Sequence, residues 1–114
     1  MRLPRRRFLH SAAAAAVTAG MSRAARSQPY PARPVRIIVP FAPGGPNDLA
    51  ARLIAQRLSE QLGKQFYVEN IGGAGGNIGM GQAARAAPDG YTMLAAAPSL
   101  VVNPNLFDRV PYDP

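Results

Sequence analysis

Two glycine-rich segments hold the residues best placed to do chemistry. Pro43-Gly44-Gly45-Pro46-Asn47-Asp48 follows one β-branched run, and Gly72-Gly73-Ala74-Gly75-Gly76-Asn77 follows a second apolar run. Each is followed in turn by a stretch with helical character. Glycines let the main chain approach a ligand closely, and a helix start presents unpaired N–H groups at the positive end of its dipole. The chemistry on offer is anion binding by main-chain groups: carboxylate, phosphate or sulfate. A tight strand-to-helix turn asks for the same residues, so one such loop decides little. Two loops converging on one sheet edge favour a site.

Other chemistries find less material. No Gly-Lys-Ser or Gly-Lys-Thr follows either loop, and Lys64 is the sole lysine, which excludes a P-loop. Gly79-Met80-Gly81-Gln82-Ala83-Ala84 spells Gly-x-Gly-x-x-Ala, but inside an expected helix, where close packing explains it better. Cysteine is absent, so disulfides, thiolate metal sites and cysteine nucleophiles are excluded. The one histidine, His10, lies in a segment expected to be removed. Ser59 falls on the helix face assigned to solvent, and Ser99 has no evident base. Six carboxylates are scattered, with Asp48 reading as helix-start chemistry and Glu69 and Asp89 not forming a metal group. No catalytic residue, metal or cofactor is expected, and the chain is read as a non-enzyme.

The elements that must position the loops follow from periodicity. Val35–Val39 reads as a strand. From Asn47, taken as an N-cap, Leu49, Ala50, Leu53, Ile54, Leu58 and Leu62 recur at helical spacing and form the expected core face; Gly63 is the natural stop. Arg52, Gln56, Ser59 and Glu60 form the expected solvent face. Gln65–Glu69 is a second strand, with one of Phe66 and Tyr67 in the core. Asn77 caps a small-sided helix reaching about Ala86. Pro88-Asp89-Gly90 is a turn, Tyr91–Ala96 a third strand, and Pro98–Pro114 irregular, with at most a helical turn near Asn105–Phe107. The order β-α-β-α-β predicts an α/β fold with a parallel sheet ordered 2-1-3 and right-handed crossovers. Its switch point, between the first and third strands, is where ligands bind in such sheets.

The chain has 114 residues, a formal charge of +7, 47% hydrophobic and 17% charged residues. The charge is not spread evenly. Residues 1–28 hold six arginines and no acid, while residues 29–114 hold seven bases against six acids, a balance of +1. A nucleic-acid partner is therefore not expected. Arg5-Arg6-Arg7-Phe8-Leu9 precedes an Ala-rich stretch too short to span a membrane, then small residues suited to cleavage after Ala24 or Ser27. Residues 1–27 read as an export signal of twin-arginine type, with the Sec route also open. The mature protein is then periplasmic and begins at Gln28.

Ordered motifs run through the mature part: Tyr30-Pro31-x-x-Pro34, Ile38-Val39-Pro40-Phe41-x-x-Gly44-Gly45-x-x-Asp48 and Val68-Glu69-Asn70-x-x-Gly73-Ala74-Gly75-Gly76-Asn77-Ile78-Gly79. Ala87-Pro88-Asp89-Gly90-Tyr91-Thr92, Asn103-Pro104 and Pro111-Tyr112-Asp113-Pro114 follow. Together they resemble the Bug family, the extracytoplasmic solute receptors of tripartite tricarboxylate transporters. The resemblance implies a two-lobed, flytrap-like binding protein of the type II architecture, monomeric when complete. It would capture a small carboxylate (a di- or tricarboxylate, an acidic amino acid or an aromatic acid) and hand it to a membrane permease.

The implied ligand contacts are Phe41, Ala42, Pro43, Gly44, Gly45, Asn47 and Asp48 from the first loop. Gly73, Ala74, Gly75, Gly76, Asn77 and Ile78 come from the second, and Pro98 and Ser99 from a third. Two local departures stand out: Ile71-Gly72 replaces the family's usual Arg-Pro, and Ala96–Val101 is poorer in Gly, Ser and Thr than the usual third loop. Family members are also longer, so residues 28–114 are expected to form an incomplete first lobe with apolar sheet surface uncovered. Two alternatives to the receptor reading are a truncated product without binding of its own and a small nucleotide-using α/β enzyme.

Overall fold

A computed structural model describes residues 27–114; the export signal, apart from Ser27, and His10 lie outside the described residues. Three parallel strands form one sheet: β1 (Val35–Val39), β2 (Phe66–Asn70) and β3 (Thr92–Leu94), in the order β2-β1-β3. This is the predicted topology. β1 is central, with Val35 opposite Phe66, Val39 opposite Asn70, and Ile38 opposite Leu94. Four of its five residues are buried, as expected for a β-branched strand covered on both faces. Val35, Ile37 and Val39 pack with Phe66, Ala51 and Ala55 on one face, and strand alternation sends Ile38 to the other. Phe66 is buried and Tyr67 exposed, so the core member of that pair is Phe66.

Helix α1 spans Pro46–Leu62. It starts two residues before the expected point. Gly45 is the N-cap and Pro46 the first helical residue, where a fixed φ and a missing N–H cost nothing. Asn47 is therefore inside the helix rather than its cap. Gly63 ends it in the left-handed conformation, as predicted, its N–H donating to the Ser59 carbonyl.

The face assignment for α1 needs correction. The helix buries Asp48, Ala51 and Ala55, with Leu58 packed at the margin, while Leu49 and Leu53 are each 62% exposed and Ile54 is 55% exposed. Apolar residues occupy most of its circumference, so periodicity alone could not choose the inner stripe. The small alanines won, because they let the helix axis come close to the sheet. Ser59 also turns inward rather than to solvent: its Oγ donates to the Ala55 carbonyl at 2.7 Å and accepts from the Phe66 amide at 2.8 Å, tying the end of α1 to the start of β2. The uncovered apolar surface lies mainly on helices, not on the sheet as expected.

Helix α2 (Asn77–Ala84) crosses the other face, and helix α3 (Ser99–Leu106) follows β3. Gly79 of α2 lies against Pro40 and the Ile71 carbonyl, which bears out close packing as the reason for the Gly-x-Gly spelling. α3 occupies a segment expected to be irregular, and it contains Pro104. Proline there removes the N–H that would reach the Leu100 carbonyl. Tyr112 supplies a substitute, its hydroxyl donating to that carbonyl at 3.2 Å. At the opposite edge, Tyr30 donates to the Gly90 carbonyl at 2.6 Å and Arg33 pairs with Asp89 at 2.8 Å, which fastens the proline-rich lead-in to the turn before β3.

Candidate functional site

The β1–α1 loop builds one wall of a cavity of about 300 Å³, lined by Phe41, Ala42, Gly45, Pro46, Asn47, Asp48 and Ala97. That volume lies at the low end of the ~300–1,000 Å³ usual for small-molecule sites. The N-terminus of the 17-residue α1 opens onto it. Leu49 is the first residue of the helix whose N–H finds an intrahelical carbonyl, that of Gly45 at 3.0 Å. The N–H groups of Asn47 and Asp48 precede it and have no backbone acceptor among the described residues. Free donors at a positive dipole end, beside Phe41, Ala42, Pro46 and Ala97, suit an anion joined to an apolar body.

Asp48 sits at this helix start but is 3% exposed, and its carboxylate is fully engaged. Oδ2 accepts from Gly44 N at 2.9 Å and Arg52 Nε at 3.0 Å, and Oδ1 accepts from Asn70 Nδ2 at 2.9 Å. The Arg52 hydrogen bond, then those from Gly44 and Asn70, lower its pKa from 3.8 to about 2, against a smaller opposing effect of burial. Gly44, at φ 92°, takes the left-handed conformation that brings its amide to this carboxylate. A lowered folded-state pKa gives stability that is present above the unfolded value near 4 and lost as pH falls through about 2. Resistance to urea unfolding should therefore weaken as pH falls from 4 to 2. Asp48→Asn should flatten the part of that dependence which belongs to this group.

The second loop adjoins the first without lining the cavity. Gly72 lies against Phe41 and Ala42, and Gly76, at φ 93°, against the Pro40 carbonyl and the Phe41 ring. Gly73, Ala74, Gly75 and Ile78 are exposed beside that contact, while Gly76 and Asn77 are buried. Ala74 holds a left-handed φ of 51° although it carries a Cβ. Asn77 does not cap α2; Gly76 does, and Asn77 Oδ1 accepts instead from Asn103 Nδ2 at 2.8 Å. Asn103 also donates to the Gly75 carbonyl at 2.9 Å. From the third loop, Ala97 reaches the cavity rather than Pro98 or Ser99. Pro98 caps α3, and Ser99 Oγ is buried without a hydrogen-bond partner. Pro43 and Gly44 form the exposed crest of the first loop.

Sequence reasoning did not single out Ala97, Arg52, Asn70 or Asn103 for the site. Alanine carries no chemical signal, and the three polar residues act through partners 18 or more positions away, apart from the Arg52–Asp48 pair. Among the described residues, no three histidine, aspartate or glutamate side chains come together as a metal site would need.

Residues 50–114 match the tripartite tricarboxylate transporter family receptor, TctC. The chain belongs to that family. It is 44% identical over 97 residues to protein BugT of Bordetella pertussis, covering 83% of this chain and 30% of that one. A Rhodopseudomonas palustris protein solved with adipate is 41% identical, with a TM-score of 0.72 over 75% of this chain and 29% of that one. MatC from Rhodopseudomonas palustris, solved with bound malate, is 46% identical, with a TM-score of 0.55 over 57% of this chain and 22% of its own. The parallel β2-β1-β3 sheet with alternating helices is thus part of a periplasmic-binding-protein fold of the Bug and TctC type. This receptor-family chain spans 25–32% of the length of the curated relatives it matches.

Proposed function

We propose that residues 28–114 form the beginning of the first lobe of a periplasmic, non-enzymatic receptor. Residues 1–27 direct its export and are then removed. The receptor captures a small carboxylate and delivers it to the membrane permease of a tripartite tricarboxylate transporter. The observation that carries this reading is the start of α1, where unpaired Asn47 and Asp48 amides border a cavity with apolar walls. The cavity suits a short acid whose carboxylate meets the helix start and whose carbon chain lies along Phe41, Ala42 and Ala97. Relatives solved with adipate and with malate support the same ligand class. The second loop backs the first through Gly72 and Gly76 without lining the cavity, and the third contributes Ala97 to it.

Calorimetric titration of the full encoded mature protein tests the reading, with adipate, malate, inorganic phosphate and ATP as probes. Saturable binding of a dicarboxylate without binding of ATP is expected. Binding of ATP alone would overturn it in favour of a nucleotide site. A second reading, that residues 28–114 do not bind on their own, is favoured by the exposed Leu49, Leu53 and Ile54 stripe, which invites self-association. The same titration on residues 28–114 separates the two.

A further inference from the structure

Asn70 ends β2, opposite Val39 of the central strand. Its side-chain nitrogen donates to the Phe41 carbonyl at 3.1 Å and to Asp48 Oδ1 at 2.9 Å. One NH2 group thereby ties the start of the β1–α1 loop, at Phe41, to the first turn of α1, at Asp48. Its oxygen accepts from Arg52 Nη2 at 3.0 Å, and the same guanidinium donates through Nε to Asp48 Oδ2 at 3.0 Å. Gly44, at the crest of the loop, donates to that same oxygen at 2.9 Å. The loop is thus held near its start and at its crest, and joined to the first turn of α1, by one network anchored in another strand.

The chemistry of the network is specific to asparagine. Two donor hydrogens meet two acceptors, and one oxygen meets one guanidinium nitrogen. Aspartate would set an acceptor against the Phe41 carbonyl and the Asp48 carboxylate, and alanine would leave both without this donor. The network also decides which amides remain for a ligand. Gly44 N–H is consumed internally, while the Asn47 and Asp48 N–H groups stay free at the cavity. We propose that Asn70 is a positioning residue for the anion site: it touches no ligand, but fixes the Phe41–Asp48 loop in the form that presents those amides. This inference rests on the function proposed above.

The test uses the full encoded mature protein and its Asn70→Ala variant, with malate and adipate as probes. Two readouts are needed: probe affinity, and hydrogen exchange of the Gly44 amide with the wild-type melting temperature as reference. Asn70→Ala should weaken the bound probe about tenfold or more, in line with the loss of hydrogen bonds to a charged group. Gly44 exchange should accelerate while amides of β1 keep their protection. If Asn70→Ala does not fold, Arg52→Gln at a half-exposed position removes the Asn70 oxygen's partner and should show the same two changes in smaller measure. Unchanged affinity in a variant whose wild type binds would overturn the positioning role alone. A loss of affinity with Gly44 exchange unchanged would overturn it too. Failure of the wild type to bind either acid would overturn both this inference and the receptor reading.

Discussion

Gly79→Ala should destabilise the fold by about 1–3 kcal/mol, the range for overpacking a filled site. The sign is the informative part. In an unobstructed helix the same change would stabilise by up to about 1 kcal/mol, because alanine is the better helix former. Here a Cβ would stand 2.5 Å from the Ile71 carbonyl oxygen and 2.9 Å from the Cα of Pro40. Both obstacles are backbone, so neither can swing aside. The helix must back away from the end of β1, and it carries Gly76 with it, off the Pro40 carbonyl and the Phe41 ring. Carboxylate affinity should fall together with stability. Gly81→Ala is the comparison: its new methyl meets the Pro111 side chain at 2.5 Å, in a peripheral segment that can shift, so the loss should be smaller. Urea unfolding of both variants checks this. A Gly79→Ala protein more stable than wild type would contradict the packing described here.

Asn103→Leu should be nearly as damaging, for a different reason. The shape is close, but the Gly75 carbonyl and Asn77 Oδ1 both lose their donor. Asn77 is buried, and a buried acceptor left unpaired costs about 1–3 kcal/mol; the Gly75 carbonyl, in an exposed residue, adds less. Asn103 is 4% exposed and Asn77 5%, so water cannot readily replace the amide, and the Tyr112 hydroxyl at 3.4 Å from Asn77 is shared with the Leu100 carbonyl. The turn Ala74–Gly76 should loosen, since its hold on α3 is Asn103 together with Phe107, which lies over Gly75. Thermal unfolding should shift down by several degrees, and the Gly76 amide, bonded to the Gly73 carbonyl at 3.0 Å, should exchange faster. Unaltered stability and exchange would show that the Asn77–Asn103 pair is not what holds the second loop.

The strand order was legible because Val35–Val39 is β-branched throughout and helices alternate with strands. Both glycine loops were legible because glycine and proline leave strong local signals. The inner face of α1 was not, because Leu49, Leu53 and Ile54 outweigh Ala51 and Ala55 in any hydrophobic count, yet the sheet accepts only the smaller pair. α3 was not legible either, since it contains Pro104 and the hydroxyl that satisfies the freed Leu100 carbonyl comes from Tyr112, twelve residues on. At the site, the first loop stood out in sequence. The Asn70 and Asn103 amides that brace the two loops did not, because their partners are distant in the chain.

The start of α1 is proposed to bind a carboxylate through main-chain amides. The most direct measurement is the set of amide chemical shifts of the full encoded mature protein as malate or adipate is added. Saturable shifts are expected at Gly45, Asn47 and Asp48, with smaller ones at Ala97 and none at Tyr67 on the β2 edge. Saturable binding that leaves Asn47 and Asp48 unmoved would contradict it.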